Sequence, residues 1–246
     1  MRIAVFSDMH GNDVAFEAVE GDIQKQNVDQ LVCLGDAIQG GPQPAAVTQR
    51  LRRLGCPVVM GNADAWMLSG VETADEGFPP EQLKKMETIR QWSLSQLTED
   101  DRAFIAAFQS TILLKLDKEL NLLCFHGSPT SFDDVMQPDS PQDVFEKFLG
   151  AYREHFLTGG HTHAQQIRRI GDRFFFNPGS VGRVLQYQPD GQLHADPWAE
   201  YAILTAGNGQ TNLEFRRVPY DVNELIRVYR ESGRPYADEA IAQYQR

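Results

Sequence analysis

The chain has 246 residues, 41% of them hydrophobic and 23% charged, with a formal net charge of −11. That length and balance suit one large folded domain, or a core with a small insertion, and exclude a disordered or low-complexity chain. The acidic charge and the lack of any basic run argue against duplex nucleic acid as a partner, and no apolar run approaches the ~20 residues that span a bilayer.

The opening MRIAVFSDMHGN reads as a buried strand, RIAVFS, that stops at Asp8. Its apolar stretch is too short for a signal peptide, so the expected location is the cytoplasm, away from membranes. DVAFEAVEGDIQKQ then has helical apolar spacing, with Asn12 or Asp13 as N-cap. DQLVCLG is a second strand, PAAVTQRLRRL a helix with Pro44 in its first turn, and CPVVM a third strand. Residues 63–110 read as a helical insertion or cap on an otherwise single domain. ILLKLD and LNLLCFHG are strands joined by a turn at Asp117-Lys118. PQDVFEKFLGAY is a helix with Ser140 as N-cap and Pro141 at its first position. HFLTGG is another strand, and QQIRRI with RFFFNPGS form a hairpin through Gly171-Asp172. Strands follow around VGRVLQY, YAILTA and NLEFRRVP, and the tail, about 221–246, reads as one or two helices. The alternation at the start implies parallel strands, with ligands beyond their carboxyl ends. The β-rich second half implies a mixed sheet, or two sheets face to face. Cys33, Cys56 and Cys124 sit in apolar runs, an odd number without a CxxC, and are expected to be buried free thiols.

Five polar clusters close apolar runs, in the order Asp8-Met9-His10, Gly35-Asp36, Gly61-Asn62, His126-Gly127 and Gly160-His161-Thr162-His163. Carboxylate, imidazole and amide donors together suit Mn, Fe, Zn, Co or Ni rather than calcium. Seven such groups exceed one tetrahedral site and suffice for two divalent ions sharing a bridging carboxylate. The Asp-x-His spacing puts both side chains on one side of an extended strand end, and His-x-His does the same if its backbone is extended. Of six histidines, four lie in the clusters, and only His155 and His194 do not.

In this order the motifs resemble the calcineurin-like metallophosphoesterase superfamily. Ser7-Asp8-Met9-His10-Gly11-Asn12 and Asn177-Pro178-Gly179-Ser180-Val181-Gly182 are similar to its small bacterial and archaeal branch, which includes phosphodiesterases and is related to the diadenosine tetraphosphatase group. The resemblance implies an α/β fold, a four-layer αββα sandwich with mixed central sheets and the ions at one edge. It implies that Asp36 bridges two divalent transition-metal ions (manganese the expected choice in vitro), one held by Asp8, His10 and His163, the other by Asn62, His126 and His161. It further implies hydrolysis of a phosphodiester or nucleotide phosphate by a metal-bridging hydroxide, with a small phosphate ester as the partner.

The chain departs from the family at its third motif, where Gly61-Asn62-Ala63-Asp64 replaces the usual Gly-Asn-His-Asp or Gly-Asn-His-Glu. The histidine is the group thought to protonate the leaving group, and losing a general acid costs ~10²–10⁴-fold in rate. Asp64 is a substitute acid or, more in keeping with the family, a positioning group. Arg183 is a candidate phosphate contact through its guanidinium. The backbone N–H groups of 177–182 are candidates for holding the site or an oxyanion. In the insertion, Trp66, Met67, Phe78, Met86 and Trp92 line either a pocket or the core. An active phosphoesterase, with Asp36, Asn62 and Asp64 in the catalytic centre, is the leading reading. A metal-binding sensor or scaffold with weak catalysis is the alternative that Ala63 suggests.

Overall fold

Alternation along β1 (Arg2–Phe6) sets up the layers: Ile3 and Val5 point to one face, Ala4 and Phe6 to the other, and all four are buried. The computed structural model describes residues 1–71, 78–187, 193–207 and 209–245. Residues 72–77 of the expected insertion lie outside the described residues.

After β1 come α1 (Asp13–Ile23), β2 (Gln30–Cys33) and α2 (Pro44–Leu54). The helices α3 (Asn62–Ser69), α4 (Pro80–Ser95) and α5 (Glu99–Ala106) follow. Then come β3 (Ile112–Lys115), β4 (Asn121–Cys124), α6 (Gln142–Leu149), β5 (Phe156–Thr158), β6 (Gln166–Ile170) and β7 (Arg173–Asn177). The chain continues with β8 (Leu185–Tyr187), β9 (Leu193–Ala195), β10 (Trp198–Gly207), β11 (Gln210–Pro219), α7 (Val222–Glu231) and α8 (Ala237–Ala242).

Two mixed sheets result. One has the order β11-β10-β1-β2, with β1 parallel to β2 and antiparallel to β10. The other has the order β3-β4-β5-β7-β6, with β4, β5 and β7 parallel. Their inner faces meet in one apolar layer: Ile3, Val5, Val32, Ala202 and Leu204 against Leu122, Cys124, Phe156 and Phe176. On the outer face of the first sheet, Phe6, Tyr201 and Ile203 pack on Phe16 and Val19 of α1 and Val47 and Leu51 of α2. On the outer face of the second, Leu123, Phe125 and Phe175 pack on Phe145 and Leu149 of α6. The chain is therefore an αββα sandwich. Each fully buried large apolar side chain contributes about 1.5–3 kcal/mol to holding these layers together.

Local signals account for most boundaries. Asn12 caps α1 by accepting from the Ala15 N–H at 3.0 Å. Pro44 opens α2, and Gly55, in the left-handed region, closes it. Three expectations shift. CPVVM forms isolated parallel bridges, Cys33 to Val58 and Val59 to Gln109, rather than a strand; Pro57 has no N–H to donate, which shortens the ladder. The cap of α6 is Pro141, one residue later than expected, because the Ser140 hydroxyl accepts from Gln137 N–H instead. A short hairpin of β8 and β9 adds a strand, Leu193–Ala195, that was not foreseen. Cys33 and Cys124 are buried and Cys56 half-buried, all as free thiols.

Candidate metal centre

The seven expected ligands converge at the carboxyl ends of the strands, beyond β1 (Asp8, His10), β2 (Asp36), β4 (His126) and β5 (His161, His163), with Asn62 starting α3. They form two lobes. In the first, His10 Nε2 and His163 Nε2 lie 2.9 Å apart, and His163 Nε2 lies 3.2 Å from Asp8 Oδ1. The ligand atoms of Asp8, His10, Asp36 and His163 all fall within 4.8 Å of one another. In the second lobe, Asn62 Oδ1 is 3.0 Å from His126 Nε2 and 3.1 Å from His161 Nδ1. Asp36 joins the lobes: its Oδ2 is 3.7 Å from His10 Nε2 and 3.4 Å from His126 Nε2, while its Oδ1 accepts from the Ala63 N–H at 2.9 Å.

The backbone reaches this arrangement in a way the spacing did not suggest. Asp8, His10, Asp36, His161 and His163 all adopt positive φ, between 47° and 67°. The expected extended Asp-x-His and His-x-His geometries are thus replaced by left-handed residues, which cost energy for any side chain with a Cβ and persist because the surroundings enforce them. A Cβ at Gly160 would lie 2.2 Å from Ser7 Oγ and 2.8 Å from Asp8 Oδ2, so the β5 loop can close on Asp8 only with glycine there. The 177–182 segment clamps the loops. Asn177 Nδ2 donates to Gly160 O and Thr162 Oγ1, and Val181 and Gly182 N–H donate to Ser7 O and Asp8 O. The N–H groups of Gly179, Val181, Gly182 and Arg183 are all spent inside the protein, so this segment holds the site and offers none of these donors to an oxyanion.

Hydrogen bonding fixes the tautomers. The Nδ1–H groups of His10, His126 and His163 donate to the carbonyls of Gln39, Leu34 and Arg183 at 3.0, 2.7 and 3.0 Å. In the neutral rings this leaves each Nε2 with a lone pair, aimed at other acceptors: Nε2 at Nε2, and Nε2 at carboxylate or amide oxygen. Asp8 Oδ1 is buried and has no hydrogen-bond partner among the described residues. Acceptors converging on acceptors need cations between them, and this oxygen and nitrogen donor set fits divalent transition ions.

The electrostatics follow the same geometry. Burial acts to raise Asp8 and Asp36, but neighbouring imidazoles outweigh it, His163 foremost for Asp8 and His126 for Asp36, and hold both carboxylates below their usual range. Burial acts to lower His126, yet the Asp36 charge carries it up to about 10. Burial, then His163, brings His10 down to about 4. Asp64 is fully buried, and burial, then Asp36, pushes it up to about 7. Its Oδ1 accepts from the Ala37 N–H at 2.9 Å and its Oδ2 from Gly61 N–H at 3.4 Å, so it ties the Asp36 loop to the start of α3. Of the two expected roles for Asp64, substitute acid or positioning group, this placement favours positioning, since Asp64 does not line the cavity that opens onto His10 and Asp36.

The calcineurin-like phosphoesterase superfamily domain matches residues 1–198. The chain belongs to this superfamily. An uncharacterized protein of Methanocaldococcus jannaschii is 27% identical over 234 residues, 90% of this chain and 89% of that one. A metallophosphoesterase from Sphaerobacter thermophilus is similar in fold, with a TM-score of 0.71 at 23% identity, covering 99% of this chain and 98% of that one. A hypothetical protein from Pyrococcus horikoshii OT3 gives 0.80 at 19% identity, covering 99% and 97%. The superfamily is divalent-metal dependent, and membership together with the Asp8, His10, Asp36 and His163 cluster supports a metal-dependent phosphoesterase in general terms.

Five of the seven side chains, His10, Asp36, Asn62, His161 and His163, line an open cavity of about 1080 Å³, while Asp8 and His126 are buried behind them. Ala63 lies in its wall, beside Asn62. From the 63–110 stretch Trp66, Phe78 and Met86 reach the cavity, whereas Met67 is fully buried in the core and Trp92 does not line the cavity. Arg183 borders it next to His10 and His163. The far wall comes from the C-terminal tail, through Tyr229, Arg234 and Tyr236. No sequence motif marked those tail residues, since only tertiary proximity brings them to the site. Among the described residues no helix is long and apolar enough to cross a membrane.

Proposed function

We propose that the chain is a dinuclear metal-dependent phosphoesterase acting on phosphodiester or nucleotide phosphate bonds. The observation that carries this reading is the position of Asp36 Oδ2 between His10 Nε2 and His126 Nε2, each ring turned by its Nδ1 contact so that Nε2 points inward. Asp8, His10 and His163 would hold one ion, Asn62, His126 and His161 the other, and Asp36 both. Two such ions supply Lewis acidity, polarising the phosphoryl oxygens and acidifying a water for attack near neutral pH.

The protein's own contribution is positioning. The Ala63 N–H orients the Asp36 carboxylate, and Asp64 fixes the two loops that carry Asp36 and Asn62. Arg183 borders the cavity beside the first lobe, where its guanidinium would contact a phosphoryl oxygen. No proton donor stands at position 63, so esters whose leaving group departs as a stable anion are the favoured substrates. Manganese is the metal proposed for assay, and the partner is a small phosphate ester rather than duplex nucleic acid.

The test is hydrolysis of bis-p-nitrophenyl phosphate with Mn²⁺, alongside metal content. Wild type should bind close to two ions and turn over, and Asp36→Asn should lose about 10²-fold or more in rate. Ala63 also supports a second reading, a metal-binding sensor or scaffold. Wild type that holds metal yet is no faster than Asp36→Asn with Mn, Ni, Co, Fe or Zn would favour that one.

A further inference from the structure

We propose that Arg234, in the loop between α7 and α8, forms with Arg183 a second anion subsite beside the metal centre, so that the preferred substrate carries a further phosphate besides the one cleaved. This rests on the phosphoesterase reading for the identity of the cleaved group. Both arginines line the cavity that opens onto His10, Asp36 and His163. Neither is ion-paired with a carboxylate among the described residues. The carboxylates bordering the same cavity are Asp36, held among the histidines, Glu239, paired with Lys85, and Glu81 and Asp133.

Arg234 is anchored without being neutralised. Its Nε donates to Gly40 O at 2.5 Å, and one terminal nitrogen donates to Pro235 O and Tyr236 O at 2.8 and 3.1 Å. These are neutral carbonyls, so the guanidinium charge is left without a counter-charge from them, and its second terminal nitrogen is uncommitted among the described residues. The Gly40 contact sets the guanidinium beside the loop whose Gln39 carbonyl orients His10, which ties the tail to the metal ligands. The Tyr229 ring supports it, with Cζ 5.6 Å from the ring centroid. Arg183 is tied to the metal lobe through its carbonyl, which accepts from His163 Nδ1–H at 3.0 Å, and its side chain lines the same cavity as Arg234 and Tyr229.

Two guanidiniums lining one cavity repel each other. Holding a half-buried pair without a carboxylate is costly unless an anion joins them, and a phosphate is matched by the guanidinium fork. One phosphate at the metals cannot also occupy the tail side of a cavity this large. The arrangement therefore selects a ligand with two phosphates over one with a single phosphate.

The experiment measures dissociation constants of ADP and AMP by calorimetry on the Mn²⁺-loaded full chain, for wild type, R234Q and R234K. ADP should bind at least about tenfold more tightly than AMP to wild type, a ratio typical of one added charge-assisted contact. R234Q should bring the ratio towards one, and R234K should keep most of it. ADP binding no tighter than AMP to wild type would overturn the proposal. So would equal ratios in R234Q and R234K, because glutamine can still donate to Gly40 O and a purely structural role would then suffice. Calorimetry needs no turnover, so a wild type inert on bis-p-nitrophenyl phosphate but selective for ADP would sink the hydrolase reading and leave the subsite standing.

Discussion

Ala63 presents a methyl group where superfamily members usually carry histidine, and the effect can be isolated because its N–H still serves Asp36. Ala63→His should therefore keep the metal site and add a proton donor at the cavity wall. We expect about 10-fold or greater acceleration on alkyl phosphodiesters, with little change on bis-p-nitrophenyl phosphate, whose leaving group needs no proton. Equal acceleration of both in steady-state assays would argue that the histidine acts on charge rather than on proton transfer. That these seven side chains gather at one place was legible in the sequence, because carboxylate, imidazole and amide groups at the ends of apolar runs are rare in combination. Their backbone conformations were not, since spacing alone does not distinguish an extended His-x-His from one with both histidines at positive φ. Nor did Asp64 disclose that its carboxylate faces the Ala37 and Gly61 N–H groups instead of the cavity.

At the level of elements, α1 is pinned to the first sheet by one polar cluster. Asp22 in its last turn accepts from Tyr201 of β10 at 2.6 Å and from Arg216 of β11 at 2.8 and 3.2 Å. Burial acts to raise Asp22, but the Arg216 and Tyr201 hydrogen bonds outweigh it and hold the carboxyl below its usual value. A carboxylate depressed in the folded state stabilises the fold above its unfolded pKa of ~3.9, and that contribution fades as pH falls through the folded value. Asp22→Asn should thus cost about 1 kcal/mol at pH 7, a screened and partly exposed interaction. Urea titrations should show the gap between variant and wild type closing below about pH 4. The helices and most strands were readable from periodicity, as α2 shows with Pro44 inside its start and Gly55 past its end. The CPVVM segment was not, because an apolar run looks the same whether it makes a ladder or two bridges. The tail was read as helices, but nothing in Gly233-Arg234-Pro235-Tyr236 announces that it folds back to Gly40.

Considered as a whole, each lobe draws ligands from both sheets: Asp8 and His10 follow β1 and meet His163 from beyond β5, and Asp36 follows β2 and meets His126 from beyond β4. Without ions, acceptors would face acceptors at this edge. Chelation should lower the thermal midpoint, and Mn²⁺ at about 100-fold its Kd should restore ~2.7 kcal/mol per site, roughly 5–10 °C for a chain of this size. Calorimetric scans with and without chelator check this, and an unchanged midpoint would count against a resident metal.

The loss should also have an address. The inner faces of the two sheets adhere through side chains, and beyond the carboxyl ends of β1, β2, β4 and β5 that apolar layer gives way to imidazole and carboxylate. Bound ions would act there as rivets through a seam. Stripping them should let the rim splay, and amide exchange should quicken first at Phe125 and Gly160, whose N–H groups bond to Thr158 and His126 where the two loops of the second sheet lean on each other.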